Sequence, residues 1–268
     1  VNRPTQRDGT QRDGTHALAS RAEDAGLNAA ATADSIWLDG WLLRFCDAKA
    51  KRSRCINALA PGRLPLAERL ALAQARYAAR GLPLHLRITP FVPAGLDEGL
   101  AALGLGRIDD TRVMLQPRLT DLALPTALPP ELEMLALDGT AYAELIGQWR
   151  GTPAAQRQAH ATRLAQSPVR YEARVLRRRD DAQVLAAGQW ACEAEFVGLY
   201  DVAVTPAARG QGLGRRLCEH LLAQAREAGA RIGYLQVEAD NAPARSLYAR
   251  LGFSDAYAYH YRTPADAG

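Results

Sequence analysis

Four glycines divide this chain into two comparable halves. Gly81 and Gly104 each close a run with helical spacing of apolar residues and precede a strand-like run, and Gly229 and Gly252 do the same 148 residues later. In the first half LPLAERLALAQARYAARG reads as a helix stopped at Gly81 and LPLHLRIT as a strand. LDEGLAALGLG is then a helix closing in Leu103-Gly104, and TRVMLQP a second strand. In the second half Leu213 to Ala228 is a helix with Gly229 as its stop, and RIGYLQVEA, APARSLYARLGF and DAYAYHYRT repeat strand, helix and strand. Leu103 and Leu251 keep the same offset of 148. One constant offset over several markers points to an internal duplication, so the fold is expected to be two copies of one α/β unit.

The second copy carries more signals upstream. YEARVLRRRDDAQVLAAGQWACE gives two strand-like runs about a turn at Arg179-Asp180-Asp181, and FVGLYDVAV a third strand stopped by Pro206. The order is therefore β-β-β-α-β-α-β, an α/β class unit with a mixed sheet. Pro117, Pro125, Pro129 and Pro130 interrupt any periodic pattern and favour extended backbone. The expected division is a mobile N-terminal tail at 1–30, where QRDGT occurs twice in succession, a first domain at 31–118, a linker at 119–131 and a second domain at 132–268.

Composition narrows the function classes. With 268 residues and 48% apolar content the chain can bury two cores of ordinary size. Its net charge of +4 comes without a basic arm or stripe, so nucleic acid is not the expected partner. Cys46, Cys55, Cys192 and Cys218 form no CxxC pair and no histidine spacing accompanies them, which argues for reduced thiols and against a metal site. An apolar leader segment and an apolar run of about 18 residues are both missing, so the chain is expected to be cytoplasmic and not to contact a membrane.

The stretch ARGQGLGRRL, Ala208 to Leu217, carries the chemistry. A strand-to-helix turn with Gly210, Gly212 and Gly214 lets backbone N-H groups converge on an anion, and the helix start adds free donors. No Lys-Ser/Thr follows, as a P-loop requires, and the glycine spacing is not that of a dinucleotide turn. RGQGLG resembles the R/Q-x-x-G-x-G/A signature of the GNAT superfamily, with Arg209, Gly212 and Gly214 at its defining positions. NAPARSLYARLGF is similar to a second motif of that family, through Asn241, Ala244, Leu247, Tyr248, Gly252 and Phe253.

The resemblance, over Glu131 to Thr263, implies a tandem GNAT-like acyl-CoA N-acyltransferase fold and transfer of an acetyl group from acetyl-CoA, without metal, to a primary amine. It assigns the CoA pyrophosphate to Arg209, Gly210, Gln211, Gly212, Leu213, Gly214 and Arg215. The N-H groups of Val202 and Val204 would pair with the pantetheine arm. Asn241 would bond near that arm, and Tyr248 would sit at the sulfur and protonate the departing thiolate. No covalent enzyme intermediate is needed, so alignment and proton movement carry the catalysis. Where the family commonly places a strand carboxylate, this chain has Gly198 and its neighbours. Asp201 and Glu238 are the leading candidates to relay the proton, with Glu193, Glu195 and Asp240 beside them and water as an alternative. Strict alternation would put Tyr200, Val202 and Val204 on one face of their strand and Asp201 on the other.

The offset of 148 sets Leu64, Leu66, Pro93 and Leu100 of the first half against Gly212, Gly214, Asn241 and Tyr248. Every key position is lost, so 31–118 is expected to be a degenerate, silent GNAT-like domain and 132–268 the catalytic one. The silent half would cover the acceptor cleft or extend the sheet. In WLDGWLLRFCDAKAKRSRCINAL, Trp37, Trp41, Leu43 and Phe45 alternate and a basic cluster of Arg44, Lys49, Lys51, Arg52 and Arg54 follows around a turn, which reads as a hairpin with core tryptophans. The cluster is an expected solvated face, or a surface for an acidic acceptor or a CoA phosphate. The expected partner is a small-molecule or peptide amine, and the assembly a monomer or homodimer. A non-catalytic acyl-CoA sensor or partner-binding module is the alternative; Tyr248 and Asn241 favour the enzyme.

Overall fold

The computed structural model describes residues 7–125 and 127–265, with side chains from residue 14 onward. The first half runs α1 (Arg7–Ala29), β1 (Asp34–Leu38), β2 (Trp41–Phe45), β3 (Ile56–Ala58), α2 (Leu66–Ala78), β4 (Leu86–Ile88), α3 (Leu96–Ala102) and β5 (Gly106–Gln116). The second runs β6 (Leu132–Leu137), α4 (Gly139–Trp149), α5 (Ala154–Ala165), β7 (Arg170–Arg178), β8 (Val184–Glu193), β9 (Phe196–Val204), α6 (Leu213–Glu227), β10 (Ile232–Glu238), α7 (Ala242–Arg250) and β11 (Ser254–Thr263). A shift of 148 residues brings α2 onto α6, β4 onto β10, α3 onto α7 and β5 onto β11. The stop glycines share one conformation: φ is 63° at Gly81, 107° at Gly229, 84° at Gly104 and 80° at Gly252. That left-handed turn ends a helix at no cost to glycine alone.

All eleven strands form a single sheet, in the order β1-β2-β3-β4-β11-β5-β10-β9-β8-β7-β6. The halves are therefore not side by side. β5 of the first half pairs with β10 and β11 of the second, and β11 pairs with β4 of the first. The register of β5 on β11 is self-complementary: Leu115 opposes Ser254 while Gly106 opposes Thr263, and the offset of 148 turns one pair into the other. The sheet thus has a pseudo-two-fold axis through the β5-β11 ladder, as between the subunits of an isologous dimer.

Two expected boundaries change. The segment 119–131 is not a free linker, because its apolar residues dock on the second core: Leu119 is fully buried, its N-H bonds Arg231 O at 2.8 Å, and Leu122, Leu124 and Leu128 pack on the same cluster. The expected mobile tail is helical over Arg7–Ala29, while residues 1–6 lie outside the described ones. Ala19, Ala22, Ala25 and Ala29 make a stripe of small side chains that packs on Phe196, Tyr200 and Tyr234. Gly26 on that stripe leaves only 3.2 Å from a Cβ position to Gln236 Nε2, so the helix lies close on the sheet. Glu23 on the same face is buried against Arg87 of β4 and accepts from Tyr257 Oη at 2.5 Å.

The second half buries opposite faces of its strands under different helices. Leu176, Trp190, Leu235 and Val237 pack under α6 and α7, whereas Ala173, Val175 and Ala187 face Tyr142 and Ile146 of α4. The structure adds β6, α4 and α5 to the expected order. Asp138 caps α4, its carboxylate accepting from Ala141 N at 2.8 Å, and Pro153 opens α5. In the first half Asp39-Gly40, both at positive φ, makes the tight β1-β2 turn, and the basic segment is the longer connection of the antiparallel β2-β3 pair, the hairpin expected there. Trp41 is fully buried as expected, but Trp37 is 66% exposed. Among the described residues no helix is long and apolar enough to cross a membrane.

Candidate functional site

β9 and β10 run parallel and pair only from Phe196-Ile232 to Leu199-Leu235, although β9 continues to Val204 and β10 to Glu238. The strands part because β9 bulges. Tyr200 pairs with Gln189 and Ala203 with Ala187, so Asp201 and Val202 together oppose Gly188, with Asp201 at φ 52°. A side chain at Gly188 would be tight, since a Cβ would stand 3.0 Å from Leu221 Cδ1 and 3.3 Å from Val202 Cγ2. The extra residue also reverses the strand's facing. Val202 and Val204 join Val197 and Leu199 over α6, and Tyr200 lies on the α1 side, so the expected sharing of a face by Tyr200, Val202 and Val204 does not hold.

The parting leaves one edge of Tyr200 to Val204 without a strand partner and opens a cleft of about 500 Å³. Five of the sequence-derived site residues meet there: Asp201, Val202, Glu238, Asn241 and Tyr248. α4 and α5 wall one side, and the first half contributes Ala29, Ala30 and the loop from Ala48 to Ser53. The first half therefore both extends the sheet and forms part of the cleft wall. Of its expected basic cluster only Lys49 and Arg52 line the cleft; Arg44 is buried and Lys51 pairs with Asp109 at 2.7 Å.

The glycine turn lies past the end of β9. Gly210 and Gly212 take φ of 77° and 75° with open space where a Cβ would be. Gly214 is tight, 3.1 Å from Leu247 Cδ1 and 3.3 Å from Val204 Cγ2, so it seats α6 against β9 and α7. Gly212 caps α6 without a side-chain bond, and the first helical N-H to find a carbonyl is that of Arg216, on Gly212 O at 3.1 Å. The N-H groups of Leu213, Gly214 and Arg215 thus point out of the helix start unclaimed by it. Leu213 is buried, while Arg209 bonds Val204 O at 3.4 Å, Gln211 bonds Ala207 O at 3.3 Å and Arg215 pairs with Glu219 at 2.7 Å. This donor set suits a diphosphate, and the unpaired β9 edge suits an amide-bearing arm.

The equivalent place in the first half is already filled. Asp39 accepts from Arg63 N at 2.8 Å and Leu64 N at 2.9 Å, and Pro65 has no N-H to give. Those backbone bonds hold the Asp39 carboxyl below the usual carboxylate range. Leu100, in the place of Tyr248, is fully buried. A side-chain carboxylate occupies backbone donors whose counterparts in the second half are left free.

Inside the cleft Tyr248 is buried, edge-on to Phe253 at 6.2 Å, and burial pushes its phenol well above the ordinary value, so it stays protonated. Asn241 caps α7, accepting from Ala244 N at 3.2 Å, and Glu238 is exposed at the end of β10. Asp201 is less available than its sequence position implied. Arg150 donates to its Oδ1 at 2.5 Å and Gln189 to its Oδ2 at 2.8 Å, and Tyr142 Oη bonds its backbone carbonyl at 3.0 Å. Burial would raise its pKa, but Arg150 and His160 outweigh that and hold it at about 2. His160 Nε2 stands 3.6 Å from Asp201 Oδ2, and burial, with Arg163 and Arg150, keeps the imidazole below its ordinary value against the pull of Asp201. Arg150 closes α4 and His160 lies on α5; the signals for these helices in the sequence are Asp138 as the cap of the first and Pro153 at the start of the second.

Residues 175–253 match the Acetyltransferase (GNAT) family. The [Ribosomal protein bS18]-alanine N-acetyltransferase of Escherichia coli K12 is 45% identical over 58 residues, which is 22% of this chain and 39% of that protein, so the match spans about two fifths of that relative's length. A GCN5-related N-acetyltransferase from Kribbella flavida superposes with a TM-score of 0.65 at 18% identity, covering 92% of this chain and 96% of the other. A tandem GNAT protein from the clavulanic acid biosynthesis pathway gives 0.60 at 20% identity over 75% and 70%. The fold is that of these proteins in both halves.

Proposed function

From the premise that the C-terminal half of this chain carries a GNAT-family acetyltransferase domain, we propose that the protein moves an acetyl group from acetyl-CoA to a primary amine bound in the cleft. The observation that carries this reading is the coincidence of an open glycine turn with an unpaired strand edge leading into a cleft that ends at Tyr248. The first turn of α6 and Gly210 to Gly214 hold the diphosphate by backbone N-H groups, each such charge-assisted bond contributing roughly 1.5 to 3 kcal/mol. The free edge at Val202 and Val204 pairs with the amides of the arm, and Asn241 fixes the α7 end of the cleft. Bound acetyl-CoA supplies the acetyl group as a thioester, from which the amine takes it as the thiolate departs. Tyr248, protonated and facing the cleft, gives the thiolate its proton.

His160 takes the proton that the amine loses. Its imidazole is neutral near neutral pH, and Asp201, itself too weak a base, stabilises the imidazolium that forms. Glu238 at the mouth returns that proton to solvent. The acceptor class includes amino acids and peptide amines, as the ribosomal-protein acetyltransferase to which this domain is similar acts on an alanine. Thiol release from acetyl-CoA against a panel of amino acids, peptides and simple amines tests the proposal. Acceptor-dependent release supports it; tight acetyl-CoA binding with no release by any acceptor points instead to an acyl-CoA sensor.

A further inference from the structure

The cleft holds more positive charge than its own carboxylates answer. Lys49, Arg52, Arg150, Arg157 and Arg163 line it against Asp201 and Glu238. Arg157 is taken by Glu144 at 2.8 Å and Arg150 by Asp201 at 2.5 Å. Arg52 and Arg163 have no carboxylate partner among the described residues. Arg52 donates to Gln236 Oε1 at 2.9 Å and stands 5.6 Å over the Tyr200 ring. Arg163 donates to Ala29 O at 3.0 Å, stands 5.5 Å over the Tyr171 ring and keeps its buried Nε without a partner. The two rings meet at 5.7 Å, so the two guanidiniums flank one aromatic platform.

A guanidinium withdrawn from water without a counterion is unfavourable, and two in one cleft repel each other as well. An incoming anion removes both penalties and gains charge-assisted bonds. An incoming polyamine would add to them. The partners of Arg52, Gln236 and Tyr200, sit on the two strands that flank the opening, so the anion seat adjoins the place where the amine must stand.

Resting on the acetyl-transfer reading above, we infer that the acceptor is a small amine carrying its own carboxylate, an amino acid, with Arg52 of the first half and Arg163 receiving that carboxylate. The duplicated, silent half thereby supplies a specificity residue to the active one. The cleft volume of about 500 Å³ lies in the range of small-molecule sites.

The test compares α-amino acids with their α-carboxamides as acceptors in thiol release, with acetyl-CoA affinity measured separately by calorimetry. The wild type should turn over at least one free acid with kcat/KM at least about 100-fold above its amide, because the amide leaves the buried Arg163 and the half-buried Arg52 without a counterion. In Arg52→Gln that ratio should fall towards one, chiefly through KM, while the acetyl-CoA Kd stays near that of the wild type. Amides equal to their acids in the wild type would overturn the inference without recourse to any variant. So would an unchanged ratio in Arg52→Gln, or acetyl-CoA binding with turnover of no amino acid. Failure of the wild type to bind acetyl-CoA would remove the donor reading itself, and this inference with it.

Discussion

Asp201 and Gly212 show how little a residue's type says until its backbone is known. Gly212 was legible: three closely spaced glycines before a helix have few uses other than an anion seat, and its φ of 75° is one that other residues adopt at a cost of about 1 to 2 kcal/mol. Asp201 was legible only as a carboxylate near the site. The bulge that turns its strand and the arginine that claims it, 51 positions away, leave no local mark in the sequence. Tyr248→Phe should lower kcat by about 100-fold with little change in acetyl-CoA affinity, as expected for loss of a proton donor used only in the reaction. Steady-state kinetics beside a calorimetric titration would check it. His160→Gln should remove the acidic limb of the kcat/KM profile. Because burial holds His160 below the ordinary value of about 6.5, that limb in the wild type should fall on the acid side of it.

Helix α1 is the element on which composition misled. Its polar residues masked a stripe of alanines, and small side chains at helical spacing give a weak hydrophobic signal even when fully buried. Glu23 on that stripe fixes the helix to the sheet through Arg87 and Tyr257. Glu23→Ala should cost about 3 to 5 kcal/mol, since it leaves the Arg87 guanidinium buried and unpaired, and a denaturant titration would read it. The pH dependence has a definite sign. Burial raises the Glu23 pKa, but Arg87 and the Tyr257 bond outweigh it and the folded value lies below the unfolded one. The pair therefore contributes fully above about pH 4.3 and loses its contribution as the pH falls through the folded value. Acid unfolding of the wild type should show this loss and Glu23→Gln should lack it. Helices α4 and α5 are hard to read for another reason: Pro129, Pro130 and Pro153 break the pattern around them, and each spans only 11 or 12 residues.

At the scale of the whole molecule, the duplication was readable from punctuation alone, but the exchange of strands was not. Helix stops are local, whereas a strand's partner is set by which sheet edge it meets. Because β5 separates β10 from β11, a fragment starting at residue 132 loses the strand between its own last two. It should fail to give a cooperative, monomeric unfolding transition, and adding a fragment of residues 1–118 should restore one. Two independent transitions in the intact chain would contradict this. In the proposed reaction the open glycine turn of the second half, and not the filled one of the first, seats the diphosphate of acetyl-CoA. Calorimetric titration of acetyl-CoA into the wild type, Gly212→Ala and Leu64→Ala distinguishes the two turns. One site per chain is expected, weakened at least about tenfold in Gly212→Ala, because an alanine disfavours φ of 75° by about 1 to 2 kcal/mol and draws the turn away from the converged N-H geometry, and unchanged in Leu64→Ala. Absence of binding heat in the wild type, or equal affinity in Gly212→Ala, would contradict it.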